Sequence, residues 1–170
     1  MGLLNQLKRA KDGARIVVVS SIAAFLQMEI DYEQIEQPAR YHRWQNYGIS
    51  KLANVLFANK LARTLGEDSR VTVNSLHPGT IATSLHRHVS SSSLGIMAQR
   101  LVLDDVFTGA VTSIYTALSP EIEGQTGQLY ARGIHRDMHP NGYSIEAQDE
   151  LWEYTEKLVA KAREEFKSNR

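Results

Sequence analysis

The hydrophobic pattern changes period several times along the chain. Leu3, Leu4 and Leu7, followed by Lys8, Arg9 and Lys11, have the spacing of a helix that ends at Asp12-Gly13, where glycine suits a left-handed cap. No capping residue precedes Leu3, so this helix reads as if it began in its middle. From Ala14 to Ser21 the run Ala-Arg-Ile-Val-Val-Val-Ser-Ser is apolar and β-branched without alternation. That is the pattern of a strand buried on both faces of a parallel sheet. Ile22 to Arg43 has no clean period, and Glu29, Asp31, Glu33, Gln34, Glu36 and Gln37 lead to Pro38. This predicts a surface loop with one short helical turn. From Trp44 onward, Leu52, Val55, Leu56, Asn59, Ala62 and Leu65 recur at helical spacing until Gly66, which predicts a helix of about six turns.

Arg70 to Leu76 is a second strand, stopped by His77-Pro78-Gly79, because proline cannot continue the ladder and glycine admits an unusual turn. Thr80 to Ser93 is polar and serine-rich and predicts a mobile loop or lid. Asp105 is placed to cap a helix through Val106, Ala110, Ile114 and Leu118 that stops before Pro120. Gly127 to Ala131 predicts a third strand, and Gly133 to Gly142 is irregular. A terminal helix starts at Ser144 or Ile145 and carries Leu151, Trp152, Tyr154, Leu158 and Val159. Strands alternating with helices, joined by right-handed crossovers, give an α/β fold of about three parallel strands with flanking helices. Residues 1–170 are expected to form a single domain.

Composition narrows the function. Nineteen Lys and Arg balance nineteen Asp and Glu, and no basic run occurs, so nucleic acid is not an expected partner. The absence of cysteine excludes disulfides and cysteine-based catalysis. No apolar run approaches the roughly 20 residues of a transmembrane segment, and Met1 to Ala10 lacks the apolar core of a signal peptide. The expectation is a soluble cytoplasmic protein.

The candidate chemistry centres on Tyr47 and Lys51. Four residues apart on a helix, a phenol and an amine share one face. In a dry site an ammonium favours the ionised phenol, which makes the tyrosine a usable proton donor and acceptor for an alcohol or ketone. Ser20 and Ser21 end the first strand and Pro78-Gly79 follow the second. In a parallel sheet these carboxyl ends lie on one rim, where ligands bind. Ser20 reads as a satisfied strand-end hydroxyl and Ser21 as the functional one. His135, Asp137 and His139, with His86 and His88, have spacing that could ligate a metal, but no cysteine or glutamate completes a set and no metal is assigned. Trp152 and Tyr154 read as packing residues, and the terminal helix as a packed surface helix rather than a membrane-surface one.

Four ordered blocks together resemble the short-chain dehydrogenase/reductase family, in its retinol dehydrogenase-like branch. They are Arg15 to Ser21, Tyr47-Gly48-Ile49-Ser50-Lys51-Leu52-Ala53-Asn54, Val73-Asn74-Ser75-Leu76-His77-Pro78-Gly79, and Leu151-Trp152-Glu153-Tyr154-Thr155-Glu156-Lys157-Leu158. The resemblance covers nearly all of this chain and corresponds to the carboxyl-terminal part of a Rossmann-like sheet. It implies an NAD(P)-dependent oxidoreductase that interconverts an alcohol and a carbonyl. By the same resemblance Tyr47 is the acid/base, Lys51 tunes it and touches the nicotinamide ribose, and Ser21 hydrogen-bonds the substrate carbonyl. Pro78, Gly79 and Thr80 would lie against the nicotinamide, and Thr83 near its carboxamide and the phosphates.

The family's glycine-rich phosphate turn, its NAD/NADP selector and the asparagine of its catalytic tetrad have no counterpart in this sequence. Most of the surface for the adenosine side is therefore missing, since pyrophosphate rests on that turn and on a helix N-terminus. The expectation is weak binding of NADP or NAD and impaired turnover by the isolated chain. The first strand is further expected to present an open edge for self-association or a partner chain. A non-catalytic remnant that pairs through this edge is the alternative reading.

Overall fold

A computed structural model describes residues 3–79, 106–138 and 140–168. Its centre is a four-stranded sheet in the order β1 (Ala14–Val19), β2 (Val71–His77), β3 (Leu129–Ala131) and β4 (Ile134–His135). The first three strands are parallel, with Ala14 beside Val71, Val19 beside Leu76, and Leu76 beside Tyr130. The predicted α/β sheet of three parallel strands is present. A feature absent from the sequence reading is β4, which pairs antiparallel with β3. Arg132 (φ 54°) and Gly133 (φ 70°) join them, both in the left-handed region. Two such residues suit a two-residue hairpin of the primed type, but arginine is not the residue that usually announces it.

The long helix runs from Arg43 to Leu65 and ends at Gly66. Numbered in chain order, the helices are α1 (Leu4–Leu7), α2 (Tyr32–Glu36), α3 (Arg43–Leu65), α4 (Val106–Leu118) and α5 (Ile145–Ser168). The buried positions of α3 form a band wider than the stripe of an ordinary surface helix, because α3 is packed on two sides. Ala58, Leu61 and Ala62 meet Val73, Ile16 and Val18 of the sheet. Leu52, Val55 and Leu56 meet Ala24, Leu129 and Met138, with Ala147 and Leu151 of α5 alongside. Each fully buried Leu or Val contributes about 1.5–3 kcal/mol, so α3 is the largest single contributor to the core.

Strand residues alternate between faces. Ile16 and Val18 therefore face α3, whereas Val17 joins Leu76, Ile122, Tyr130 and Tyr115 on the opposite face, under α4. Helices thus lie on both faces of the sheet and bury most of β2, whereas β1, expected to be buried on both faces, is only half-buried and Val19 at its end is exposed. Two buried asparagines are satisfied by backbone. Asn74 donates to the Gln125 carbonyl at 2.8 Å and accepts from the Gln128 N–H at 2.9 Å, and Asn59 donates to the Gly142 carbonyl at 3.0 Å. Asn74 in this way fixes the approach to β3.

The terminal helix α5 packs along α3. Trp152 stacks on Phe57 with centroids 6.0 Å apart and planes 6° from parallel, and Tyr154 meets Tyr32 with centroids 4.6 Å apart. Both aromatic residues are packing residues, as expected. Among the described residues no helix is long and apolar enough to cross a membrane.

Two stretches depart from the expectation. The Ile22–Arg43 excursion contains three short turns rather than one: 3-10 turns at Ile22–Leu26 and Pro38–Arg40, with α2 between them. Ser21 and Asp31 accept hydrogen bonds from the N–H groups of Ala23 and Gln34 and start the first two. At the other end, only Leu4–Leu7 of the first apolar stretch is helical, and Gly13 (φ 80°) lies beyond it in a turn before β1.

Candidate active site

Parallel pairing brings the carboxyl ends of β1 and β2 together. The Ser20 N–H donates to the Leu76 carbonyl at 2.6 Å, so Ser20-Ser21 and His77-Pro78-Gly79 emerge side by side. Ser20 is only 2% exposed, and its hydroxyl donates to the Lys51 carbonyl at 2.7 Å. It is the satisfied strand-end hydroxyl, and it ties β1 to α3 at the turn that carries Lys51. Ser21 is half-buried, and its oxygen accepts from the Ala23 N–H at 3.3 Å, starting the turn that packs on α3.

Tyr47 and Lys51 occupy one face of α3, with the Lys51 ammonium 5.7 Å from the centre of the Tyr47 ring. The same ammonium donates to the Val19 carbonyl at 3.4 Å, and the Asn54 amide donates to that oxygen at 3.0 Å. Residues 47, 51 and 54 thus follow one stripe of α3, and the polar ends of Lys51 and Asn54 converge on the last residue of β1. Ammonium has three donors, so the single long bond to Val19 leaves Lys51 able to meet a ligand hydroxyl as well. Among the described residues the Tyr47 oxygen has no hydrogen-bond partner and is half-buried.

The entry of α3 is held by a clamp that the sequence reading missed. The Gln34 amide, buried, donates to Asn46 Oδ1 at 2.8 Å, and that same oxygen accepts from the His42 N–H at 2.9 Å. Asn46 directly precedes Tyr47, so α2 fixes the first turn of the helix on which the phenol stands. The signal in the sequence was Asp31 three residues before Gln34, a capping spacing inside a stretch otherwise read as loop. Asn54 was likewise legible as the residue one turn beyond Lys51.

A further contact sets the distance between the helix and the strand end. A β-carbon at Gly48 would stand 3.0 Å from the Ala23 carbonyl oxygen and 2.8 Å from Gln27 Cγ. Glycine at this position lets α3 close onto the turn that follows Ser21.

Pro78 and Gly79 lie half-buried at the end of β2, Gly79 with φ 96°. Thr80 and Thr83, expected to contact the cofactor, lie outside the described residues, as do His86, His88 and His139. Among the described residues no group of three His, Cys, Asp or Glu side chains could hold a metal. A groove of about 740 Å³ lies between α3 and α5, lined by Ala53, Phe57, Leu151, Trp152 and Val159. It reaches the Tyr47–Lys51 stripe through Asn54 alone.

These residues fit the nicotinamide end of a dinucleotide. The rim offers a phenol and an ammonium on one helix face and, at the end of β2, a glycine without a side chain. The described residues contain no glycine-rich turn at the start of a helix to receive a pyrophosphate.

Comparison with known proteins identifies the relatives of this chain. The sequence pattern of the family described as short chain dehydrogenase matches residues 2–93. Retinol dehydrogenase 14 of Mus musculus is 37% identical over 161 residues, a span covering 92% of this chain and 48% of the relative. The chloroplastic short-chain dehydrogenase TIC 32 B of Brassica napus is 38% identical over 154 residues, covering 85% of this chain and 47% of its own. Human polyprenol dehydrogenase is 35% identical over 159 residues, with 88% and 47% covered. This chain therefore spans about half the length of the curated relatives it matches.

Solved structures show the same fold. A protein from Mycobacterium paratuberculosis superposes with a TM-score of 0.60 at 22% identity, over 86% of this chain and 50% of that one. A short chain dehydrogenase from Shigella flexneri, solved with NADP, superposes with a TM-score of 0.52 at 18% identity, over 78% and 46%. With the family pattern over more than half of its length and relatives above 30% identity along most of it, the chain belongs to the short chain dehydrogenase family, as a retinol dehydrogenase-like member.

Proposed function

We propose that this chain carries the proton-transfer and substrate-facing half of a nicotinamide-dependent oxidoreductase acting on an alcohol or the corresponding carbonyl. The observation that supports this most is the placing of Tyr47 and Lys51 on one face of α3, with Lys51 anchored to the carboxyl end of β1. A nicotinamide dinucleotide, NAD or NADP, supplies the hydride when bound. Tyr47 would pass a proton to or from the substrate oxygen, and Lys51 would face the charge that develops on the phenol while holding a ribose hydroxyl. Ser21 would orient the carbonyl by a hydrogen bond from its hydroxyl. Pro78, Gly79, Thr80 and Thr83 would border the nicotinamide.

The isolated chain is expected to bind nicotinamide cofactors weakly, because nothing among its described residues receives the pyrophosphate. Calorimetric titration with NAD and with NADP tests this, and micromolar affinity for either would overturn it. For the chemistry, Tyr47→Phe removes the proton donor and leaves the ring. Carbonyl reduction that proceeds equally well in Tyr47→Phe removes the enzymatic reading.

A second reading is favoured by one observation: β1 has a strand neighbour on one side only among the described residues. On this reading the chain is a non-catalytic module that pairs through that edge. Unchanged activity in Tyr47→Phe would favour it.

A further inference from the structure

Helix α2 is only five residues long, Tyr32 to Glu36. A helix of that length does not hold its shape in water by itself, because its one turn offsets little of the cost of nucleation. Its conformation is therefore set by what it touches, and it touches two different helices. Toward the start of α3, Gln34 is 5% exposed and its amide donates to Asn46 Oδ1 at 2.8 Å. The same oxygen accepts from the His42 N–H at 2.9 Å, and Tyr47 follows directly. Toward the terminal helix, the ring of Tyr32 lies 4.6 Å from that of Tyr154, inclined by 48°. Glu150, one turn before Tyr154 on α5, lies near the Tyr32 phenol, and Glu36 accepts a hydrogen bond from the Tyr154 hydroxyl. Tyr154 thus reaches both ends of α2, and Gln34 leaves from its middle.

We propose that Tyr154 of α5 is a positioning residue for Tyr47, acting through α2 and Asn46. The seat of Tyr154 fixes α2, α2 fixes the Gln34 amide, and that amide fixes the Asn46 side chain that closes the first turn of α3. A buried amide that loses its acceptor is costly, so α2 and the first turn of α3 move together or not at all. The other ties of this segment are weaker. Arg40 pairs with Glu33 at 3.0 Å and with Asp31 at 3.4 Å, but these are surface contacts, which contribute little.

The ring and charge contacts that join α5 to α3 directly hold a different part of the helix. Trp152 stacks on Phe57, and Asp149 bonds Lys60 and Arg63. Phe57 already lies about three turns beyond Tyr47. Seating of α5 is therefore felt at the phenol by way of α2. Proton transfer needs the phenol oxygen within hydrogen-bond reach of the substrate, which makes that seating a condition for the chemistry.

The proposal rests on the oxidoreductase reading only for the importance of Tyr47, and hydrogen exchange tests it without turnover. Its failure leaves that reading standing, and activity that survives Tyr47→Phe would end that reading while leaving the coupling in place. Amide exchange of the full chain is followed residue by residue by NMR. Tyr154→Ala is expected to speed exchange at His42, Asn46 and Tyr47 by about threefold to tenfold, the worth of an aromatic pair, and by less at Leu61 and Ala62 of the same helix. Gln34→Ala is expected to act at the same amides. The double variant should be no faster there than the faster single one, because both changes break one linkage. Tyr154→Phe keeps the ring and should restore slow exchange. A first turn unmoved by Tyr154→Ala overturns the proposal, as does an equal change all along α3. Additive effects of Tyr154→Ala and Gln34→Ala, or exchange in Tyr154→Phe as fast as in Tyr154→Ala, overturn it too. If Tyr154→Ala does not fold, Tyr154→Leu, which keeps apolar bulk without the ring, carries the same comparison.

Discussion

Gly48 and Ala23 touch across the junction of α3 and the first 3-10 turn so closely that a β-carbon on Gly48 would stand 3.0 Å from the Ala23 carbonyl oxygen. Two effects compete in Gly48→Ala. Alanine in a helix interior gains up to about 1 kcal/mol over glycine. Overpacking against fixed backbone costs about 1–3 kcal/mol, and Gln27 Cγ, at 2.8 Å from the built carbon, is too near its own backbone to swing away cheaply. We expect a net loss of stability in urea unfolding. A gain would mean that the junction is loose and does not set the spacing between Ser21 and Tyr47.

Ser20 and Ser21 are neighbours with separable roles. Ser20→Ala breaks a buried hydrogen bond to the Lys51 carbonyl at 2.7 Å, an expected loss of about 0.5–1.5 kcal/mol. Ser21→Ala breaks a longer, half-exposed bond at 3.3 Å, and should cost less. Unfolding midpoints of the two variants measure the order, and a larger loss for Ser21→Ala would reverse the assignment of the structural hydroxyl.

Asp149 joins α5 to α3. It accepts a hydrogen bond from Lys60 at 2.7 Å and another from Arg63, and the Lys60 bond, followed by Arg63, holds its carboxyl below the usual carboxylate range. Because the folded value lies below the unfolded one, near about 3.9, the contribution is complete above that unfolded value. It is lost as pH falls through the folded value. Asp149→Asn should therefore flatten the acid limb of the stability curve while changing little about its alkaline limb. Parallel curves for the two proteins below about pH 4 would show that the contacts are not maintained in solution.

Tyr32 contributes to the alkaline limb, as do Tyr115, Tyr130 and Tyr154, which burial also raises. Burial, then the nearby charge of Glu150 and the neighbouring Tyr154, push its phenol up to about 12. Burial also raises Tyr154, with Glu36 adding to it. An unfolded tyrosine ionises near about 10. The stabilisation is therefore fully present below that pH and disappears as pH rises through the folded value. Phenolate absorbance followed through this range should show late-titrating tyrosines, one of which Tyr32→Phe removes. If all tyrosines titrate together near the unfolded value, the contact between α2 and α5 is open in solution.

The local pattern of this sequence determined its elements. The unalternating run at Arg15 to Ser21 could only be stable with both faces covered, and Leu52 to Ala62 could only bury its stripe as a helix, so β1, β2, α3 and α5 were legible within a few residues. The spacing of Tyr47 and Lys51 determined that they share a helix face, because helical period acts over four residues whatever surrounds it.

Tertiary structure decided what those residues meet. Val19 as the common acceptor for Lys51 and Asn54, Gln34 as the clamp on Asn46, and Gly48 as the close approach to Ala23 all depend on groups far apart in sequence or on backbone atoms. No period along the chain records such contacts. The β3–β4 hairpin was hidden for a different reason: its turn uses Arg132 in the left-handed region, where the local preference of arginine yields to the pairing on either side.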